Sequence, residues 1–207
     1  NFISSFVENS EGETTTNWSI LWKELLSLQS GVFHRCLTHD RILSLLVRAQ
    51  LEHEDWAHAK AHIPASGTAG TVGALVGGLK ELSGSVSSIL PVSAAEEVIC
   101  AVSAQFMQQA RDIEDKYALD AEKCLKLMPL NAAVSLKLEF VSALRSLAVF
   151  GVRRPPKDVS GEVALQMVLE SLVQFPESYR SPDELQSIAL RLGVTDTDNQ
   201  HAILLAT

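Results

Sequence analysis

Cysteine is scarce in this chain, and none of it is arranged in pairs. Cys36, Cys100 and Cys124 are odd in number, widely spaced and free of any C-x-x-C motif. That implies no disulfide framework and suits buried thiols in a reducing compartment. Positive charge is short as well: 17 Lys and Arg stand against 25 Asp and Glu, for a formal net charge of -8 and a pI near 5.2. Such a surface opposes nucleic-acid binding, which needs clustered cations to displace counterions from phosphate. The one compact basic cluster, Arg153, Arg154 and Lys157, is split by prolines and reads as a solvated helix terminus rather than a phosphate cradle. The apolar run that ends at Val152 is interrupted by Lys137, Glu139 and Arg145, so it offers no uninterrupted membrane span and direct membrane insertion is not expected. Period-two alternation and Asn-Gly or Asp-Gly turns are missing, and strands are not required. No repeat recurs at a fixed period. The chain begins NFISS, without Met or a signal-peptide pattern, and stops at ILLAT inside an apolar stretch, so it reads as a fragment of a longer protein.

What is present is apolar residues in helical register. With 207 residues, 46% of them hydrophobic, the chain can bury a substantial core, as one domain or as an elongated stack. Residues 1–16 form a loosely docked entry segment. Helical periodicity starts at Asn17, with Trp18, Leu21, Trp22, Leu25, Leu26 and Leu28 on one broad face and Gly31 ending or kinking the run. A second helix is predicted from Thr38 to Leu51, capped at Thr38 or His39, with Ile42, Leu45, Leu46 and Ala49 inward. A short helix from Asp55 to Ile63 carries Ala57, Ala59 and Ala61, small enough for a neighbour to approach, and Pro64 stops it. The segment around GTAGTVGALVGG is a flexible Gly/Ser-rich insertion, with one weak helix at Leu79 to Leu82. Beyond it, Ser93 and Glu96 form a capping box for a helix through Met107. Asp115 to Met128 is helical up to Pro129, and Asn131 caps a long helix that Gly151 ends.

The last third is the most strongly punctuated. FGVRRPP at 150–156, FPESYRSPDEL at 175–185 and LGVTDTDNQ at 192–200 each place Gly or Pro where a helix stops. Val163 to Phe175, apolar over more than one face, is expected as an inner helix. Ser181, Pro182 and Glu184 combine an N-cap, an N1 proline and a capping box, Gly193 closes that helix, and Asp196 or Asp198 starts the last one. A succession of short antiparallel helical hairpins predicts an all-α stacking scaffold that holds partners.

Five chemical alternatives compete with that reading. His34, His39, His53, His58 and His62 crowd together beside Cys36, and imidazole and thiolate are zinc's ligands. HEDWAH at 53–58 nevertheless departs from the zincin motif, whose second His would fall at Ala57. A His-based metal-dependent hydrolase is therefore the minor alternative to exposed or locally bonded histidines. Gly67, Gly70, Gly73, Gly77 and Gly78 lack both GxxxxGK[ST] and GxGxxG, and no strand precedes them. The acidic pairs Glu54–Asp55, Glu96–Glu97 and Asp183–Glu184 fall in expected first turns, where they complement the helix dipole. Asn17-Trp18-Ser19 fits a glycosylation sequon but coincides with a helix start. No G-x-S-x-G elbow exists. Catalytic, cofactor and metal residues are accordingly assigned to none. Trp18 and Trp22 belong to the core, while Trp56, beside acidic residues, is the better interface candidate.

The run Leu147, Phe150-Gly151-Val152, Pro155-Pro156, then Leu169, Leu172, Pro176, Tyr179, Leu185, Ala189 and Leu192 resembles the end of the secretory-pathway (Sec-type) helical domain of the neuroblastoma-amplified sequence (NBAS) family. These are subunits of Dsl/NRZ-type tethering complexes. The resemblance extends to Asn17–Ile63, with its LWKELLSLQSGVF segment, and to Ala95–Val152, and it leaves out the insertion. It implies a right-handed α-solenoid over 1–207, a single segment interrupted by the insertion at 64–92. It also implies a non-enzymatic scaffold for Golgi-to-endoplasmic-reticulum retrograde transport, peripheral on the cytosolic face of the endoplasmic reticulum. The implied partners are the zeste-white-type tether subunit and the N-terminal region of an endoplasmic-reticulum SNARE, with no cofactor. No partner-binding residue carries over by motif. A related solenoid of the kinetochore complex that shares the zeste-white subunit is the alternative.

Overall fold

The computed structural model describes residues 17–33, 37–64, 89–175 and 182–206, and among these every regular element is helical. The expected helix at Leu79 to Leu82, most of the insertion, Ser181 and the entry segment lie outside the described residues. The chain divides into two compact units, Asn1–Val102 and Ser103–Thr207.

In the first unit, α1 (Trp18–Leu28) starts where the Asn17 side chain accepts a bond from the Ile20 N–H. Trp18, Leu21 and Leu25 are its buried stripe, and a π-helical turn, Gln29–Phe33, contains Gly31. Thr38 caps α2 (His39–Glu52) by accepting from the Arg41 N–H. Its buried face holds Ile42, Leu43, Leu46, Val47, Ala49 and Leu51. Leu45 is only half-buried. α3 (Trp56–His62) follows at once and packs on α2. Of its three helical alanines only Ala59 is buried, because Ala57 and Ala61 share the opposite, exposed face.

The junction between α2 and α3 is a tight C-terminal motif. The Asp55 N–H donates to the Gln50 carbonyl at 2.8 Å and the Glu54 N–H to the Leu51 carbonyl at 3.1 Å. This is the Schellman pattern, and the residue at its left-handed position is Glu54, with φ 61°. Sequence reasoning put Glu54 with Asp55 in a first turn. The structure places Asp55 as the N-cap of α3 and Glu54 outside both helices.

α4 (Val92–Gln109) straddles the boundary between the two units. It begins two residues earlier than the capping-box expectation, at Val92 rather than Ala94: the Ala95 N–H donates to the Pro91 carbonyl at 2.9 Å, so Ser93 and Glu96 lie inside the helix rather than forming its cap. The cause is the anchor just upstream, where buried Leu90 donates its N–H to the His62 carbonyl at 2.9 Å.

In the second unit, Asp115 caps α5 (Lys116–Leu125). That helix stops short of Met128, because the Leu127 and Met128 N–H groups turn back to the carbonyls three residues before them. Asn131 caps α6 (Ala132–Val149) by accepting from the Ala133 and Val134 N–H groups at 3.0 and 3.1 Å. α6 ends in a second Schellman motif with Gly151 at φ 83° and the buried Val152 after it. A 3-10 turn, Pro156–Asp158, leads to α7 (Gly161–Gln174). α8 (Pro182–Arg191) ends in a third such motif, with Gly193 at φ 88° and the buried Val194, and α9 (Thr197–Ala206) follows.

α6 packs on α5, α7 and α8, while α7 and α9 both pack on α8 and on each other. Leu144, Leu147, Met167, Val168, Leu172, Leu185, Ile188 and Ile203 fill this core. Burial of each such side chain contributes about 1.5–3 kcal/mol before entropy is counted. α7 is not buried all round, since Val173 is 79% exposed.

Candidate functional site

The histidine cluster resolves into separate local roles. His53 is the C-cap of α2 and its ring tilts against Trp18 with centroids 6.2 Å apart. His39 meets Trp22 edge-on at 5.3 Å. His58, on α3, places Nδ1 2.8 Å from Asp55 Oδ2 and 2.9 Å from Oδ1. The same carboxylate accepts the Trp18 indole N–H at 2.6 Å and the His58 backbone N–H at 3.3 Å. Burial raises the Asp55 pKa, but the His58 ring, the His58 backbone N–H and the Trp18 indole outweigh it and hold the group below the ordinary carboxylate range. Oδ2 thus joins α1 to α3, while Oδ1 serves the first turn of α3 itself.

No group of three or more His, Cys, Asp or Glu among the described residues is placed to hold a metal ion. His34 and Cys36 lie outside the described residues, as do Gly67, Gly70, Gly73, Gly77 and Gly78. Cys100 is half-buried and Cys124 fully buried, and neither is in a disulfide. The Asn17 side chain of the apparent sequon is engaged as a helix cap. Trp18 is buried, and Trp22 and Trp56 are half-buried.

The basic cluster is more structured than a solvated terminus. Arg153 Nη1 lies 2.6 Å from Glu114, and Arg154 Nη2 donates to Glu170 at 2.7 Å, tying the 150–160 connection to the turn before α5 and to α7. Glu122 similarly joins α5 to α6 by accepting from Arg145 while also holding Lys126 at 2.7 Å.

A cleft of about 220 Å³ opens in the second unit. Its floor is apolar, from Met107 of α4, Leu125 of α5, Phe140 and Val141 of α6, and Pro156, and Lys137 and Lys157 stand at its rim. Both lysines are exposed, and neither has an ion-pair partner among the described residues. Sequence reasoning missed this cleft, because residues from four separate segments build it and no local pattern brings them together.

No helix among the described residues is long and apolar enough to cross a membrane. No protein-family profile matches the chain, and no solved structure matches it. It is 20% identical over 201 residues to MAG2-interacting protein 2 of Arabidopsis thaliana, an alignment that covers 95% of this chain and 8% of that protein. The chain thus spans a small part of the length of the relative it matches.

Proposed function

We propose that this chain is a segment of an α-solenoid scaffold in a vesicle-tethering complex of Golgi-to-endoplasmic-reticulum retrograde transport. It works without catalysis, peripheral on the cytosolic face of the endoplasmic reticulum, and holds a zeste-white-type tether subunit and the N-terminal region of a SNARE. The observation that carries this reading is where the residues of the NBAS-type pattern fall. Leu147, Val152, Pro156, Leu172, Leu185, Ala189 and Leu192 are buried, Phe150, Pro155 and Leu169 are half-buried, and Gly151 takes the left-handed turn that ends α6, while Pro176 and Tyr179 lie outside the described residues. The pattern therefore marks the corners and the core of stacked helices, which is what a scaffold must keep. A plant relative named for its interaction with another protein supports a partner-binding role. Co-expression of the chain with the tether subunit and the SNARE segment tests it: recovery of both on the tagged chain is expected, and recovery of neither removes the reading.

A further inference from the structure

We infer that the cleft between the end of α4 and the middle of α6 docks a short acidic segment of a partner protein. That segment seats one apolar side chain in the cleft and sets its carboxylates against Lys137 and Lys157. The inference rests on the partner-binding reading and names the chemistry of one contact within it.

Size argues first. At about 220 Å³ the cleft falls below the roughly 300–1,000 Å³ of pockets that enclose whole small molecules, and it suits a side-chain anchor. Its floor of Met107, Leu125, Phe140, Val141 and Pro156 offers apolar contact, with an adaptable methionine among them. Anchors of this kind, filling a desolvated pocket, carry most of the energy of protein interfaces.

Charge identifies the occupant. Lys123, Lys126, Arg145, Arg153 and Arg154 of the second unit all hold named carboxylates. Lys137 and Lys157, which line the cleft, hold none among the described residues. On a chain of net charge -8, uncommitted cations flanking an apolar depression select an acidic partner and disfavour a basic one. Both lysines sit at an exposed rim, so their contribution screens with salt.

The test uses the full chain and two capped peptides sharing a Phe-Leu centre, one flanked by Asp and Glu and the other by Lys. Methyl NMR should show the acidic peptide shifting Met107, Leu125 and Val141, with the Lys-flanked peptide inert. The double swap Lys137→Glu, Lys157→Glu should weaken acidic-peptide binding by about tenfold or more. Because both positions are exposed, its circular dichroism and melting should match the parent, and Lys137→Gln, Lys157→Gln gives an intermediate loss with no new charge. Equal binding of the two peptides, shifts elsewhere on the chain, or indifference to the swap would each overturn the inference. Self-association abolished by the swap would overturn it in favour of a second copy. If the swapped chain still retains the tether subunit and SNARE segment while acidic peptide fails to bind the parent, the cleft fails and the tethering role stands. If the parent binds the acidic peptide but retains neither protein, the tethering role fails alone.

Discussion

The Trp18 indole donates to the Asp55 carboxylate at 2.6 Å across 37 positions of sequence, joining the first turn of α1 to the cap of α3. One side chain therefore caps a helix, orients His58 and holds a tryptophan. Asp55→Ala should cost about 1–3 kcal/mol, because it removes the cap and leaves a partly buried indole N–H unpaired. Urea unfolding of the variant, monitored by tryptophan fluorescence, checks this. Asp55→Asn, which keeps an acceptor, should lose less.

Acidification offers a second reading of the same contact. Asp55 is held below its usual value of 3.8, and Glu122 below 4.5, where burial raises it but Lys126 and Arg145 outweigh that. A folded-state pKa below the unfolded one gives stability that is present above the unfolded value and lost as pH falls through the folded value. Unfolding free energy should accordingly drop as pH falls below about 4.5. Asp55→Asn and Glu122→Gln should each flatten that slope, and an unchanged slope in both would contradict the two contacts.

Three helix ends share one hydrogen-bond motif, and one of them has an ill-suited residue. Glu54, at φ 61°, occupies the position that Gly151 and Gly193 fill elsewhere. An L-residue in left-handed geometry costs about 1–2 kcal/mol, partly offset by the greater freedom glycine has when unfolded. Relative to Glu54→Ala, which removes the same side-chain contact but keeps the strained backbone, Glu54→Gly should therefore stabilise the chain by about 1 kcal/mol. Thermal melting of the two variants measures it, and a lower melting temperature for Glu54→Gly would count against the motif.

The converse holds at the glycines. Gly193→Ala meets nothing within 4 Å, so its loss of about 1 kcal/mol should come from backbone strain alone. Gly151→Ala adds a 3.0 Å approach to Gln174 Oε1, the end of a flexible side chain that can move aside. Gly161→Ala, with open space and no positive φ, should be neutral or slightly stabilising. Denaturant titration of the three should rank them with Gly161→Ala the most stable.

Helix starts at Thr38 and Asn131 were legible as caps, and both side chains accept from backbone N–H groups of the first turn. Asn17 was legible as a helix start, whereas Asp55, expected inside a first turn, proves to be the cap. Glycine-terminated ends at Gly151 and Gly193 were equally legible, because few other residues take that conformation. The Ser93 box failed because a tertiary bond from Leu90 to His62 fixes the entry to α4 two residues sooner, and no local pattern encodes it. Glu54 was hidden because its type carries no left-handed signal. The cleft was invisible for a different reason: Ser103, Leu125, Lys137 and Pro156 become neighbours only through packing.

The tethering claim stands most directly on binding measured with purified components. Mixing the chain with the zeste-white-type tether subunit and the SNARE N-terminal segment, and following light scattering on a sizing column, gives the mass of whatever forms. The predicted result is a single species whose mass equals the sum of the three. Elution of the chain alone, with both partners folded and present in excess, would contradict the account.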